Sequence, residues 1–314
     1  MNLNVDIHND AYAQCYKSYL ERSSQRDADK CCLQQKIPAE LHKLQLGKDK
    51  PRFSILSIGA GDGFFDQEML KIVLEKYLNA GDKQLQEVEI LNAAVEPNPA
   101  LLGQYKESIE RSSDGSKGLS NQRSVKFDLK LMSFEGYAES KHDQNQYDLV
   151  HAIHSLYYVD IESTLKHCYH NELGEKGLIV CLLGDNSNLT ALTSLILDKH
   201  RPECQRKPWS NPPANVISIA EKNSMKYEKV VVPFKVDITS VFDESSEEGR
   251  QMLDFFTHEN NYRQTADQKE LNEVLKMYRE ISTEDDNGKL IANGTHVLIL
   301  ISKNLQNHVI VNDV

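Results

Sequence analysis

The 314-residue chain has no excess of positive charge, no long apolar run and no paired cysteines. Each absence removes a class of function. Lys and Arg number 36 against 47 Asp and Glu, a net charge of −11. A surface of that sign repels phosphate backbones and anionic headgroups, so neither nucleic acid nor a membrane is an expected partner. No apolar stretch approaches the roughly 20 residues of a membrane span, and the opening Met1-Asn-Leu-Asn-Val-Asp6 lacks signal-peptide character. Cys15, Cys31, Cys32, Cys168, Cys181 and Cys204 include no C-x-x-C pair. That spacing points to reduced thiols in a cytoplasmic protein rather than to zinc or a disulfide framework. The sequons at Asn188 and Asn293 then carry no weight. Grouped acids of the kind that gather a metal are absent too, and no metal is expected.

What is present is 39% hydrophobic and 26% charged residues, the balance of a globular protein with a real core. The length suits one large domain or two ordinary ones.

The informative stretch is Phe53-Ser-Ile-Leu-Ser-Ile-Gly59-Ala-Gly61-Asp-Gly63-Phe-Phe65. Ile55, Leu56 and Ile58 give the short apolar run of a buried parallel strand. Gly59, Gly61 and Gly63 break it, and Phe64 to Tyr77 reads as a helix. Strand, glycine loop and helix open a nucleotide-binding βαβ unit. A second apolar strand, Glu89 to Val95, ends on Glu96-Pro97, where a carboxylate can accept the hydroxyls of a ribose. Glu96 lies 37 residues after Gly59, against roughly 20 for the matching acid in dinucleotide binders. The loop has the form G-x-G-x-G, holds Asp62 and contains no basic residue. A nucleoside cofactor without phosphates fits it better than a dinucleotide.

Alternation of strand and helix continues as a doubly wound α/β sheet requires. Ahead of it, residues 1–46 read as helical, interrupted at Ser23-Ser24 and running on to Ile37-Pro38. Tyr12, Tyr16 and Tyr19 share one face of that segment. Gly47 to Pro51 is a turn. A helix runs to about Glu110, Ser112 to Ser120 is a surface loop, and Ser124 to Leu131 is the third strand. The fourth is Tyr147 to His151, followed by a helix over Glu162 to His170 and a fifth strand from Gly177 to Leu183. Arg201 to Pro213, with Trp209, is a loop or insertion. Thr265-Ala-Asp-Gln268 reads as a capping box opening a helix. Thr295 to Ser302 closes the sheet. The expected division is a helical lid (1–46), a nucleotide-binding core (47–200), and 201–314 as substrate-domain insertions plus the last strands.

Ligands of such sheets lie at the carboxyl ends of the strands. The third such end is Ile153-His154-Ser155-Leu156-Tyr157-Tyr158. His154 can donate or accept near neutral pH, and Tyr157 and Tyr158 offer aromatic walls and hydroxyls, so these three are the catalytic candidates. His151, inside the strand, reads as structural.

The glycine loop and the acid after the second strand resemble motif I and the acidic second motif of S-adenosylmethionine-dependent methyltransferases. More specifically, the chain resembles the histamine N-methyltransferase family over nearly its whole length. The carrying segments are the Tyr12/Tyr16/Tyr19 helix, Ile55 to Gly59, Val95-Glu-Pro97, Leu156-Tyr-Tyr-Val159 with Ser163-Thr-Leu-Lys166, Asp254-Phe255 with Thr257, and Asn293-Gly-Thr295. The resemblance implies a Rossmann-like methyltransferase sheet with a smaller substrate domain, in a cytoplasmic monomer. S-adenosylmethionine would be held by Gly59, Gly61, Gly63, Glu96, Ser133 and Ile153. Tyr12, Tyr16, Tyr157, Tyr158 and Phe255 would line the pocket of a small amine or imidazole. Gln25 stands where the family has a glutamate, and His154 where it has a glutamine. Gly294 stands where it has an asparagine, a change that leaves a space unless Asn293 replaces it by a one-residue slip. These departures point to an acceptor bulkier or less cationic than histamine. Methylation of a phenol or carboxylate oxygen, and a protein that binds the cofactor without transferring the methyl, are the alternatives.

Overall fold

A computed structural model describes residues 10–46, 51–78, 88–114, 125–140, 146–186, 188–200, 211–304 and 312–313. In chain order come α1 (Asp10–Glu21), α2 (Gln25–Leu44), β1 (Arg52–Ile58), and α3 (Phe64–Lys71), which continues as a π-helical stretch to Leu78. Then follow β2 (Glu89–Glu96), α4 (Pro99–Asp114), β3 (Val125–Leu131), α5 (Phe134–Ser140), β4 (Tyr147–Ile153) and α6 (Ile161–His167). The remainder is β5 (Leu173–Gly184), α7 (Asn188–His200), α8 (Pro212–Lys222), β6 (Tyr227–Asp237), α9 (Glu247–Thr257), α10 (Tyr262–Thr265), α11 (Gln268–Glu280), β7 (Ser282–Glu284), β8 (Leu290–Ile301) and β9 (Asn312–Asp313). The strands run in the order β3-β2-β1-β4-β5-β8-β6-β9, with β7 paired to β8 off that path.

The chain divides into two compact units. The larger comprises Lys30–Leu183, Pro213–Val231 and Val297–Val314. Within it β3, β2, β1, β4 and β5 are all parallel. Chain order runs outward from β1 through β2 to β3, then returns to place β4 on the other side of β1. The switch in strand order therefore falls between β1 and β4, where α/β sheets open a crevice at their carboxyl ends. Every residue of β4 is buried, while β3 at the edge is not. One face of the sheet (Leu56, Ile58, Val150, Ala152, Ile179, Cys181) packs on α5, α6 and α8 through Phe134, Leu165 and Val216. On β2, Ala94 packs against α4 through Leu102 and Tyr105. Helices thus cover both faces, and the sheet is the doubly wound α/β arrangement that the strand–helix alternation predicts.

The smaller unit comprises Met1–Asp29, Gly184–Pro212 and Val232–His296. Its core joins Tyr19 of α1 to Met252, Leu253 and Phe256 of α9, Leu271 and Val274 of α11, and Phe234, Val236 and Ala292 of the strand segments. The break at Ser23-Ser24 has a structural use: Ser23 bridges Val236, and the Ser24 N–H donates to the Lys235 carbonyl at 2.9 Å.

Several elements depart from the sequence reading, each for a physical reason. α2 runs through Pro38 to Leu44. A proline in a helix interior costs about 3 kcal/mol, but Leu33, Ile37 and Leu41, on one face at i, i+4 and i+8, are all fully buried and offset it. β5 begins at Leu173 rather than Gly177, with a register shift opposite Tyr147 and Leu149. The cap of α11 is Asp267, which accepts from the Glu270 N–H at 2.9 Å, whereas Thr265 closes α10. α4 runs on to Asp114, into the loop expected over Ser112 to Ser120, and α8 begins at Pro212, inside the loop expected over Arg201 to Pro213. The rest of those two loops up to 210, with Trp209, and residues 47–50 of the expected turn lie outside the described residues.

Candidate active site

The glycine loop is shaped by hydrogen bonds from its own backbone. The Gly59 N–H reaches the Val95 carbonyl at 2.8 Å and the Gly63 N–H the Ala60 carbonyl at 3.0 Å. Glu96, buried at the end of β2, accepts from the Gly61 N–H through Oε2 and from the Asn98 N–H through Oε1, both at 2.8 Å. One carboxylate therefore ties the loop after β1 to the turn after β2. Gly63 caps α3 at φ 79°, a left-handed conformation that costs other residues roughly 1–2 kcal/mol. A Cβ there would also overlap the Tyr105 ring, whereas one on Gly61 would meet nothing within 4 Å. The loop is closed beneath Gly63 and open at Gly61.

The third strand end joins this loop. The Ser155 hydroxyl donates to the Ile58 carbonyl at 2.6 Å, and a Cβ on Gly59 would lie 2.5 Å from that of Ser155. Ile153 is buried as the last residue of β4. His154 takes φ 54° while its N–H bonds the Leu182 carbonyl at 2.9 Å, and its ring lies 5.8 Å from that of Phe65. Tyr157 and Tyr158 meet edge to face at 6.1 Å and are 36% and 65% exposed. Ser133 follows β3 by two residues, and its hydroxyl accepts from the Gly136 N–H at 3.1 Å, capping α5. Leu131, where β3 ends, is the register partner of Glu96. The candidate cofactor residues thus all stand at the carboxyl ends of neighbouring strands.

Of the acceptor residues implied by the resemblance, Tyr157 and Tyr158 lie in the larger unit and Tyr12, Tyr16, Gln25, Phe255 and Asn293 in the smaller. Phe255 stacks on Tyr19 at 4.6 Å and faces Tyr16 at 5.5 Å. Gln25 is buried, and its Oε1 accepts from the Tyr19 hydroxyl at 2.6 Å. Tyr12 falls in α1, with its side chain outside the described residues. Asn293 is exposed on β8. The space expected at Gly294 is not there: a Cβ on Gly294 would overlap the ring of Phe234. Nor does a one-residue slip bring in Asn293, because neighbours on a strand point to opposite faces.

Sequence reasoning missed two buried clusters. Asp29 and His296 pair at 2.8 Å in the smaller unit, from positions 267 apart. In the larger unit Asp66, Asn92, Tyr105 and His151 form one network behind the glycine loop. Asp66 carried a readable signal, an acid in the first turn of a helix; the rest did not.

Strand order and strand-end loops together define a doubly wound sheet whose crevice lies at the switch point between β1 and β4. No protein-family model matches the chain. It is similar to histamine N-methyltransferase of Danio rerio, 25% identical over 301 residues that cover 92% of this chain and 94% of that one. The Bos taurus histamine N-methyltransferase is 26% identical over 300 residues, covering 92% and 94%. Carnosine N-methyltransferase 2 of Gallus gallus is 27% identical over 262 residues, 81% of this chain and 74% of that protein. The resemblance read from the motifs thus extends along most of the chain. Among solved structures, the YcgJ protein of Bacillus subtilis aligns with a TM-score of 0.47 at 11% identity, over 85% of this chain and 98% of that one.

Proposed function

We propose that the protein is an S-adenosylmethionine-dependent N-methyltransferase acting on a small amine or imidazole. The observation that carries the reading is Glu96, a buried carboxylate at the end of β2 that is bonded to the glycine loop beside the switch point. The residues suit this cofactor. A carboxylate has about four acceptor positions, so two backbone N–H bonds leave Glu96 capacity for ribose hydroxyls. Gly61 leaves its side open, and the absence of Lys and Arg from Gly59 to Gly63 disfavours a pyrophosphate. Gly59, Gly61, Gly63, Glu96, Ser133 and Ile153 would hold the cofactor, which supplies an electrophilic methyl on a sulfonium.

The chain's own residues then have to bind and orient the acceptor and exclude water. Holding reactants in line is worth several kcal/mol, and an imidazole nitrogen, with an ordinary pKa of about 6.5, needs no strong base at pH 7. Tyr157 and Tyr158 present ring faces that attract a cationic amine, and His154 offers the acceptor a hydrogen bond. Tyr16, Gln25 and Phe255 are the acceptor residues carried by the resemblance. Because position 25 is an amide, the acceptor is less cationic than histamine; the Phe234 ring against Gly294 gives no support to a bulkier one. The protein acts as a cytoplasmic monomer on a free small molecule; residues 1–46, expected as one lid, are divided between the two units at Asp29 and Lys30. The net charge of −11 supports the absence of nucleic-acid and anionic-membrane partners. Among the described residues no helix is long and apolar enough to cross a membrane.

Calorimetry with S-adenosylmethionine and S-adenosylhomocysteine, followed by methyl transfer to a panel of amines, imidazoles, phenols and carboxylates, tests the proposal. Binding with turnover of a nitrogen acceptor is expected. Binding without any turnover, or turnover of oxygen acceptors alone, overturns the N-methyltransferase reading.

A further inference from the structure

The network behind the glycine loop does more than fill the core. Asp66 lies in the first turn of α3, three residues after Gly63. Its Oδ1 meets His151 Nε2 at 3.0 Å, and its Oδ2 accepts from Asn92 Nδ2 at 3.0 Å and from the Tyr105 hydroxyl. Asn92 Nδ2 also reaches the Tyr105 oxygen at 3.0 Å. All four side chains are buried, with at most 2% exposure. Burial, then the Asp66 charge, pushes the Tyr105 phenol up, so it stays a donor.

The network draws on β2 and β4, two of the strands that end at the candidate site, and meets the loop after β1 through Tyr105. Asn92 belongs to β2, four residues before Glu96. His151 belongs to β4, four before Ser155, whose hydroxyl holds the Ile58 carbonyl. Tyr105 rises from α4 and places its ring where a Cβ of Gly63 would be. The carboxylate fixes the Tyr105 ring, and the ring fixes the floor of the loop.

We infer that Asp66 and Tyr105 are positioning residues for cofactor binding: by seating Gly63, they hold the loop amides in the shape that the ligand meets. Neither residue touches the cofactor. Asp66 acts through Tyr105, which in turn acts through the loop backbone. This rests on the methyltransferase reading for the identity of the ligand, while the geometry of the loop stands independently of it.

The test uses the full chain with Asp66→Asn and Tyr105→Phe; the second keeps the ring and removes only the hydroxyl, so the test does not hang on a single substitution. Hydrogen–deuterium exchange over residues 59–66 without ligand should speed up by roughly tenfold, the factor set by one lost hydrogen bond to a buried charge. The dissociation constants for S-adenosylmethionine and S-adenosylhomocysteine should rise together, with kcat at saturating donor changed by less than about threefold. A merely structural role would lower the melting temperature and leave exchange in the loop and both constants unchanged, which overturns the inference. A loss confined to the sulfonium ligand would replace positioning by charge attraction and also overturn it. If the unaltered protein binds neither ligand, the methyltransferase reading falls, and the exchange data alone decide whether Asp66 and Tyr105 set the loop.

Discussion

The loop of the larger unit and the aromatic cluster of the smaller one are built from different material. Gly59 to Gly63 is held by backbone N–H groups, two strand-end carbonyls and one carboxylate. Tyr16, Tyr19, Gln25 and Phe255 are held by one another's side chains, ring on ring and amide on phenol. A site made of backbone tolerates change around it, so long as its few glycines, its acid and the Asp66–Tyr105 pair beneath Gly63 persist. A site made of side chains is redefined by single substitutions. Cofactor chemistry and acceptor choice can therefore diverge at different rates in one chain.

The sharpest way to break this contrast is Glu96→Ala. It removes the acceptor for two backbone N–H groups, each worth about 1.5–3 kcal/mol against a charge. Affinity for S-adenosylmethionine should fall by roughly a hundredfold or more, with Glu96→Gln intermediate. Unchanged calorimetric binding in a folded variant would mean that the loop is not held through this carboxylate.

Next come the glycines, compared by thermal melting and ligand titration. Gly63→Ala meets both an unfavourable φ and the Tyr105 ring, and should lose at least about 2 kcal/mol of stability. Gly61→Ala meets only the φ cost, so about 1 kcal/mol is expected, yet its donor affinity should suffer because its open side faces the approach of a ligand. Equal stability losses would contradict the closed-below, open-above description of the loop.

In the smaller unit, Gly294→Asn should cost about 1–3 kcal/mol by overpacking against Phe234. Combined with Gln25→Glu it should not improve methylation of histamine. Improved turnover in a panel assay would show that this region is looser than its side-chain contacts imply.

The smallest effect concerns thiols. Burial, and then the charge of Asp254, pushes Cys15 on α1 up to about 11, so at pH 8 only about a thousandth of it is thiolate. Cys181 on β5 is pushed up to about 12 by burial. Among the described cysteines, exposed Cys31 should therefore be alkylated first by a wide margin, read by mass spectrometry. Rapid labelling of Cys15 would mean that the α1–α9 packing opens readily.

The same contrast explains what could be read in advance. Gly59, Glu96 and the Ile153–Tyr158 turn are legible because strand periodicity announces where a strand ends, and strand ends are where such sheets work. Ser155 was within the segment but not assigned a role, since its bond to the Ile58 carbonyl depends on β1 and β4 being neighbours. Asp29 and His296 are invisible in one dimension: nothing in α2 or β8 signals that they meet. The filling of Gly294 by Phe234 is equally hidden, because a glycine in a strand can mean an open space or an occupied one.

Glu96 has two employers. It would receive the ribose, and it already neutralises two N–H groups of its own chain. Selection on the fold alone would therefore retain it. In a descendant that had stopped transferring methyl groups, the acid and its glycines would outlast the activity, while Tyr157 and Tyr158, exposed and owing little to the core, would be free to drift first. Loss of those two tyrosines beside an intact Glu96 is the fossil such a lineage would leave.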